Sequence, residues 1–362
     1  MDIKYWVALL QFPGLSSKHF FKLLESFGTG REIWQASRNT LLATKILSRD
    51  KVDNLITWRK SKNPDIIFEE LHKKRIKVVS ILDENYPFLL KKIYDPPALL
   101  YYKGQLLNYT LPIAVVGSRK ASPYGKKIAE QLAKKLASCN FTVVSGMARG
   151  IDSYSHKGAL AAGKKTVAVL GNGVDVIYPP ENKGLYESII ENGCVMSEFP
   201  PGSSPQNWHF PARNRIISGI SRAVIVVEAA QKSGALITVD YALEQGRDVF
   251  SVPGPITSKY SFGTNNLIKQ GAKPVTCVED ILEEFDVKPL FENFEVKKST
   301  VIKLTESEKQ VLKEIEQGPC EIDTISQRTG LKLSEINATC VILEMKGLIR
   351  KIPGKKYIKV DL

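Results

Sequence analysis

Residues 111–171 read LPIAVVGSRKASPYGKKIAEQLAKKLASCNFTVVSGMARGIDSYSHKGALAAGKKTVAVLG, and their grammar decides the fold. Three short runs, LPIAVVG (111–117), FTVVSG (141–146) and KTVAVLG (165–171), are rich in β-branched residues and apolar at both odd and even positions. Successive side chains on a strand point to opposite faces, so such runs belong to strands covered on both sides. Between them, residues 123–139 and 152–162 read as helices. Strand–helix–strand alternation at this spacing builds a parallel sheet with right-handed crossovers.

Working outward, the alternation continues. CVMSE (194–198), RAVIVVE (222–228) and DVFSVPG (248–254) are further strands, and IKVVSIL (76–82) precedes them. Helices are expected at 181–192, 209–220, 234–246 and 263–271. The predicted fold is α/β: an extended Rossmann-like, doubly wound parallel sheet over residues 64–286. Residues 1–63 read as short helices punctuated by Pro13-Gly14 and Gly28-Thr29-Gly30. There FPGLSSKHFFKLLESFG (12–28) resembles a SAM-like or helix-hairpin-helix unit, although a plain helical bundle fits the same residues. Periodicity is lost over 287–303, which reads as a linker. Residues 304–362 predict three helices and a hairpin turning at Pro353-Gly354, the winged-helix pattern. Thr305 and Glu308 have the spacing of a capping box at its first helix. Its expected core is Val311, Leu312, Ile315, Ile322, Ile325, Leu331, Ile336, Val341, Ile342 and Leu348.

The chain has 51 Lys and Arg against 38 Asp and Glu, a net charge of +13 that favours a polyanionic partner. The excess is 18 against 11 in residues 1–108, 22 against 18 in 109–298, and 11 against 9 thereafter. No block forms a basic tail, so an anion site must be assembled by folding. The odd set of five cysteines contains no Cys-x-x-Cys pair, which argues against a disulfide framework and a structural zinc site. No signal peptide and no membrane span are read, and a cytoplasmic location is expected. Gly-x-x-x-x-Gly-Lys-Ser/Thr, Gly-x-Ser-x-Gly and His-Glu-x-x-His are absent. No catalytic residue, metal or cofactor is therefore assigned.

Ligands of open parallel sheets bind beyond the carboxyl ends of the strands, so the residues following each strand are the candidates. Gly117-Ser118-Arg119 offers a tight turn, helix-start amides and a planar phosphate donor. In SGMARGID (145–152), Gly146, Arg149 and Gly150 permit an anion-accepting turn, while Asp152 reads as a helix cap and His156 as a packed side chain. Asn172, between two glycines, offers hydrogen bonds, and a simple turn explains it equally well. The loop EFPPGSSPQNWHFPARNR (198–215) brings Asn207, Trp208 and Phe210, then Arg213, Asn214 and Arg215 at a helix start. Its rings either stack unpaired bases or pin the loop to the core. Lys232, Ser233 and Gly234 form another helix start. Together Arg119, Arg149, Arg213, Arg215 and Lys232 predict a positive shelf along one sheet edge.

VVGSRKASPYG (115–125), VVSGMARGIDSYSHKGAL (143–160), SEFPPG (197–202), HFPARNRIISGISRAVIVVEA (209–229), KSGALITVDYALEQGRDVFSVPG (232–254) and NNLIKQGAKPV (265–275), in this order, resemble the DprA (Smf) DNA-processing protein family. The resemblance implies a non-catalytic protein that binds single-stranded DNA in a basic pocket of the Rossmann-like domain and hands it to the RecA recombinase in natural transformation. It also implies homodimerisation through residues near 250–285, where Leu267, Ile268, Val275, Val278, Ile281 and Leu282 either seek a partner or fill the core. Arg119 matches the family's Gly-Ser-Arg arginine, and Phe210 the aromatic before Pro-x-Arg-Asn-Arg. The basic residue many relatives carry just before that Phe is replaced by the stretch Gln206-Asn207-Trp208-His209. The alternative is a nucleotide phosphoribohydrolase of the lysine-decarboxylase-like group. In that alignment Thr238 takes the motif's threonine, and Tyr241 stands where a catalytic glutamate is needed. A transcription factor acting through the winged helix is a third reading, against which the thin charge excess of the tail counts.

Overall fold

A computed structural model describes residues 3–106, 111–287, 304–316, 318–346, 348–352 and 356–359. It divides the chain into two compact units, Met1–Pro289 and Leu290–Leu362. The expected linker lies outside the described residues apart from its first position, as does the Pro353-Gly354 turn.

The first unit begins with six helices: α1 (Ile3–Leu10), α2 (Ser17–Phe27), α3 (Gly30–Gln35), α4 (Arg38–Ala43), α5 (Arg49–Lys60) and α6 (Pro64–Lys73). Ser16, Thr29, Ser37, Ser48 and Asn63 cap the starts of α2 to α6 by accepting from first-turn amides, as short side-chain oxygens do at helix starts. The helical layer thus runs ten residues past the boundary expected at 63. Pro64 is not a break there: it sits at the first turn of α6, where a missing N–H costs nothing. Trp6, Phe20, Leu23 and Leu55 of this layer belong to the same continuous apolar core as Val116 and Val224 of the sheet.

Nine strands form one sheet in the order β1-β2-β6-β5-β4-β3-β7-β8-β9. They are β1 (Lys77–Ser80), β2 (Leu99–Gly104), β3 (Pro112–Val116), β4 (Thr142–Ser145), β5 (Thr166–Val169), β6 (Gly193–Ser197), β7 (Ala223–Val226), β8 (Asp248–Ser251) and β9 (Lys273–Pro274). β3 to β9 are mutually parallel; β2 runs antiparallel to both β1 and β6. Every residue of β3, β5, β6 and β7 is buried, the physical reason their sequences are apolar at both parities. The crossover helices are α7 (Pro123–Ser138), α8 (Ile151–Ala161), α9 (Lys183–Glu191), α10 (His209–Ile220) and α11 (Ala235–Glu244). α12 (Phe262–Lys269) and α13 (Glu279–Glu284) complete the unit. From β3 the chain winds outward through β4, β5 and β6, then returns to β7 on the other side of β3. Right-handed crossovers place α7 to α9 on one face and α10 and α11 on the other, a doubly wound sheet whose switch point lies between β3 and β7.

Leu267, Val275, Val278, Ile281 and Leu282 are buried within the unit and Ile268 is half-buried, so the apolar surplus of this stretch fills the chain's own core. The second unit holds α14 (Glu306–Glu316), β10 (Cys320–Glu321), α15 (Ile322–Thr329), α16 (Leu333–Met345), β11 (Ile349–Ile352) and β12 (Lys356–Lys359), with sheet order β10-β12-β11. This is a winged helix. The capping box is formed: Thr305 N–H donates to Glu308 Oε2 at 2.8 Å and Glu308 N–H to Thr305 Oγ1 at 3.3 Å. Its core contains Val311, Ile315, Ile325 and Ile336 as expected, with Cys340 and Leu343 added. Val341 and Ile342 are instead exposed, because the rotation of α16 turns their neighbours Cys340 and Leu343 inward. Among the described residues no helix is long and apolar enough to cross a membrane.

Candidate nucleic-acid interface

An open cleft of about 540 Å³ lies at the switch point, beyond the ends of β3 and β7. Its walls include Gly117, Ser118, Arg119, Asn207, Phe210, Asn214, Lys232, Ser233 and Gly234. Elements far apart in sequence converge here because the sheet reverses direction between β3 and β7.

The first wall is the turn from β3 to α7. Ser118 N–H donates to the Glu228 carbonyl at 2.8 Å. The Glu228 carboxylate accepts from Ser122 N–H at 2.9 Å, while Ser122 caps α7. Glu228 is 5% exposed and so acts as a clamp that fixes the turn against the end of β7. A side chain at Gly117 would meet the Glu228 carbonyl at 2.8 Å. Gly150, with φ of 77°, crosses beneath the same turn, and a side chain there would meet the Arg119 carbonyl at 2.7 Å. This close backbone crossing leaves the Arg119 side chain exposed, with its guanidinium 4.7 Å from the centre of the Phe210 ring. A cation held over an aromatic face is pre-oriented yet keeps its edge donors.

The aromatic loop divides the work its sequence left open. His209 and Phe199 do the pinning: the rings stack at 3.9 Å, and His209 Nδ1 lies 3.0 Å from the Gly171 carbonyl oxygen. Trp208 is 63% exposed, its Nε1 donating to Gln206 Oε1 at 2.6 Å. Phe210 stands between Arg119 and Tyr178, whose ring is 5.6 Å away. Arg119 and Phe210 also border a smaller adjoining pocket with Gly146, Arg149, Asn172 and Tyr178.

The five-cation shelf is not what forms. Arg213 is 3% exposed and donates to the carbonyls of Gly146, at 2.8 Å, and Val169. It lines the cleft from below, as part of the floor. Arg215 lies two residues on, roughly 200° round the helix. It turns away to Glu198, at 2.6 Å, and Asp95, at 3.5 Å. Arg149 is exposed and paired with Glu181. Arg119 and Lys232 alone of the five stand exposed on the cleft, and the structure adds Lys120 and Lys259, with Tyr260, which the sequence reading passed over. Their signal was present: each follows a strand end, Lys259 at eight residues' remove from β8. Asn172 is buried and donates to the carbonyls of Val176, at 2.6 Å, and Gly173, at 3.0 Å, which makes it a loop brace. Asn214 donates to the Gly234 carbonyl at 3.3 Å and so ties the starts of α10 and α11 together.

Beneath the cleft is a buried polar layer. Burial pushes the Asp152 carboxyl up, against the opposing pull of Arg213. Its Oδ2 accepts from Ala148 N–H at 3.4 Å, in the loop before α8, and makes no cap to the helix's own amides. His156 is fully buried, its Nδ1 2.8 Å from Thr166 Oγ1, and burial with the Arg213 charge lowers it to about 3. Burial lowers Arg213 to about 10. Tyr241 is not part of the cleft wall, whereas Thr238 is, so no carboxylate reaches the cleft from that turn. Among the described residues no group of three or more His, Cys, Asp or Glu side chains is placed to hold a metal ion.

Comparison with known proteins matches residues 77–286 to the family described as DNA recombination-mediator protein A, and residues 297–355 to the DprA winged helix domain. Protein Smf of Synechocystis sp. is 33% identical over 98% of this chain and 98% of its own length. DNA processing protein DprA of Streptococcus pneumoniae is 50% identical over 57% of this chain and 73% of its own. Among solved structures, DprA from Streptococcus pneumoniae superposes with a TM-score of 0.68 at 40% identity, over 78% of this chain and 97% of that one. DprA from Helicobacter pylori, described for a unique single-stranded DNA binding mode, gives 0.53 at 30% identity, over 59% and 98%.

Proposed function

Because the chain belongs to the DNA recombination-mediator protein A family, we propose that it is a non-catalytic single-stranded DNA-binding protein that holds the strand in the switch-point cleft, protects it and helps load the RecA recombinase in natural transformation. The observation that carries the reading is the character of the cleft: among the described residues, of its six charged lining residues Arg119, Lys120, Arg213, Lys232 and Lys259 are cationic and only Asp152 is acidic. Phosphates supply the opposite charge, and the Phe210 face offers a platform for an unpaired base. The cleft is a concavity walled by strand-end loops and the first turns of α10 and α11, not a helix projecting toward a major groove, which favours a single strand over a duplex.

In this reading Gly117 and Gly234 let the backbone approach a phosphate, Ser118 and Ser233, whose amides donate to the Glu228 and Ala230 carbonyls, hold the two turns in shape, and Arg119 and Lys232 neutralise the charge. Phe210 and Trp208 stack bases, Asn207 borders the strand, and Gly146, Arg149 and Gly150 shape the adjoining pocket. Arg213, Arg215 and Asn172 serve from behind by holding the loops in place, and Asn214, in the wall itself, ties α10 to the start of α11. Contacts of this kind are numerous and individually weak, so the strand can pass to RecA without a single tight bond being broken. A second copy of the chain would join through residues near 250–285, where Ile256 is 95% and Phe262 53% exposed. A solution mass of one chain at micromolar concentration would remove that part.

The test is an affinity comparison of single-stranded and duplex oligonucleotides across a salt series, with nucleotide hydrolysis followed in parallel. Preference for the single strand, a steep fall with salt and no turnover are expected. Equal, salt-insensitive affinity for both would overturn the reading.

A further inference from the structure

We propose that Lys259 and Tyr260, on the loop between β8 and α12, form a second subsite of the cleft for single-stranded DNA, in which the Tyr260 ring stacks an unpaired base and the Lys259 ammonium meets the neighbouring phosphate. The proposal rests on the single-strand reading above.

Both residues line the same cleft as Arg119, Phe210 and Lys232. The sheet order places the loops that follow β5, β4, β3, β7 and β8 side by side in that sequence. Strands are about 4.8 Å apart, so the loop after β8 begins roughly 10 Å beyond the Gly117 turn. The Phe210–Tyr178 ring pair lies beyond β5, where Phe210 closes on Gly171, and Tyr260 is anchored at the end of β7, on the other side of β3. A strand laid across the cations of the cleft therefore meets a ring near either end. This is the usual construction of a sequence-tolerant groove, with charge along the backbone path and aromatic faces for the bases.

The loop is held in shape before any ligand arrives. Asn265 donates to the Gly254 carbonyl at 2.9 Å and accepts from Gly254 N–H at 3.1 Å. The Tyr260 carbonyl accepts from Ala229 N–H at 2.9 Å, and the Ala229 carbonyl from Gly263 N–H at 2.7 Å. These bonds fix the loop to the end of β7, yet they engage the backbone of Tyr260 rather than its ring. The Lys259 ammonium lies 5.3 Å from the centre of that ring and, among the described residues, meets no carboxylate within ion-pair distance. A cation and a ring so placed lose little freedom on binding, which favours affinity.

The test uses the full chain and thymidine oligonucleotides of two lengths, one short enough to occupy the Arg119–Phe210 end alone and one long enough to cross the cleft. Tyr260→Ala should weaken the long oligonucleotide about tenfold and the short one little, without changing the salt slope. Tyr260→Phe should bind as the parent does. Lys259→Ala, at an exposed position that supports no core, should lower the log–log salt slope by about 0.7, the share of one phosphate. That slope also keeps the proposal open to refutation should Tyr260→Ala fail to fold. Parent-like affinity of Tyr260→Ala for the long oligonucleotide, or an unchanged slope in Lys259→Ala, overturns the second subsite while Arg119→Ala still loses binding. If the parent chain does not bind single strands, or Arg119→Ala binds as the parent does, the single-strand reading itself fails.

Discussion

On the floor of the cleft, Arg213 is 3% exposed and donates to the carbonyls of Gly146 and Val169; on the rim, Arg119 is exposed, its guanidinium lying on the Phe210 face. Both arginines border the same cavity. Both stand near the start of a helix that follows a strand. What separates them is water. A guanidinium without water must find acceptors in the protein, so it becomes part of the scaffold. One that keeps its water can exchange it for phosphate oxygens at little cost. The floor should therefore be read in stability measurements and the rim in binding measurements.

The largest effect is expected on the floor. Arg213→Ala removes the donor of two carbonyls and the stronger influence of the two positive charges, Arg213 and Arg119, that oppose the burial of Asp152. Breaking such a buried arrangement costs about 3–5 kcal/mol, which urea unfolding would measure. If stability is unchanged and only DNA binding falls, Arg213 belongs to the rim and the contrast collapses.

The floor also gives a pH signature. His156 stays neutral in the folded chain down to about 3, against 6.5 for a free imidazole. As pH falls below 6.5 the unfolded chain takes up a proton that the folded chain refuses. The stability due to His156 is thus complete above 6.5 and lost toward 3, by about 1.4 kcal/mol per pH unit in that window. Asp152, pushed up by burial, works the other way: the folded chain holds its proton to higher pH than the unfolded one, so its contribution is complete at the acid end and is lost as pH rises through its raised value. The two groups oppose each other, so the His156 share is read by difference: His156→Gln should lower the slope of stability against pH below 6.5 relative to the parent. Parallel profiles would mean that the imidazole reaches water.

These contrasts mark what the sequence could and could not disclose. β3, β5 and β7 were legible because burial on both faces writes itself at every position. β2 was not: PPALLYYKG is only half-buried toward its end, and its antiparallel pairing with β6 joins segments nearly a hundred residues apart. α6 was hidden behind Pro64, which punctuates a sequence whether it ends one helix or starts another. At the site, the strand-end rule found Gly117, Ser118, Arg119, Phe210 and Lys232, since topology alone decides which loops meet. It could not tell Arg119 from Arg213 and Arg215, because the fate of a side chain two positions along a helix depends on a rotation of roughly 200° about an axis not yet placed. Tyr260 escaped for a related reason: its loop returns to β7 through bonds to Ala229, a contact that no local pattern announces.

On the rim, Arg119→Ala should weaken single-strand binding by about 1–3 kcal/mol, the range for a charge-assisted contact left unmade. Its thermal unfolding should match the parent's, since an exposed guanidinium on a ring supports little of the core. Anisotropy titrations and melting curves on the same preparations separate the two. A loss of folding stability as large as the loss of binding would place Arg119 with Arg213.

The smallest effect is expected from removing the second unit. A phosphate-reading winged helix would present cations and polar groups along the helix that carries recognition. α16 carries Leu333, Val341 and Ile342 exposed at 48%, 54% and 43%, together with Glu335 and Glu344. In the wing, Lys356 is paired with Glu321 at 3.5 Å and Lys359 with Glu316 at 2.6 Å, so two of its lysines already have acid partners. Lys355 and the Lys351 side chain lie outside the described residues. These exposed positions offer few free cations to a phosphate backbone, and they contrast with the cationic cleft as the Arg213 floor contrasts with the Arg119 rim. A chain ending near residue 298 should therefore keep its single-strand affinity to within about 1.4 kcal/mol, or tenfold, and the isolated tail should bind DNA weakly or not at all. A loss beyond tenfold on truncation would assign the wing a share of the DNA path. The salt slope would then say how large a share, because each phosphate contact removed lowers it by about 0.7.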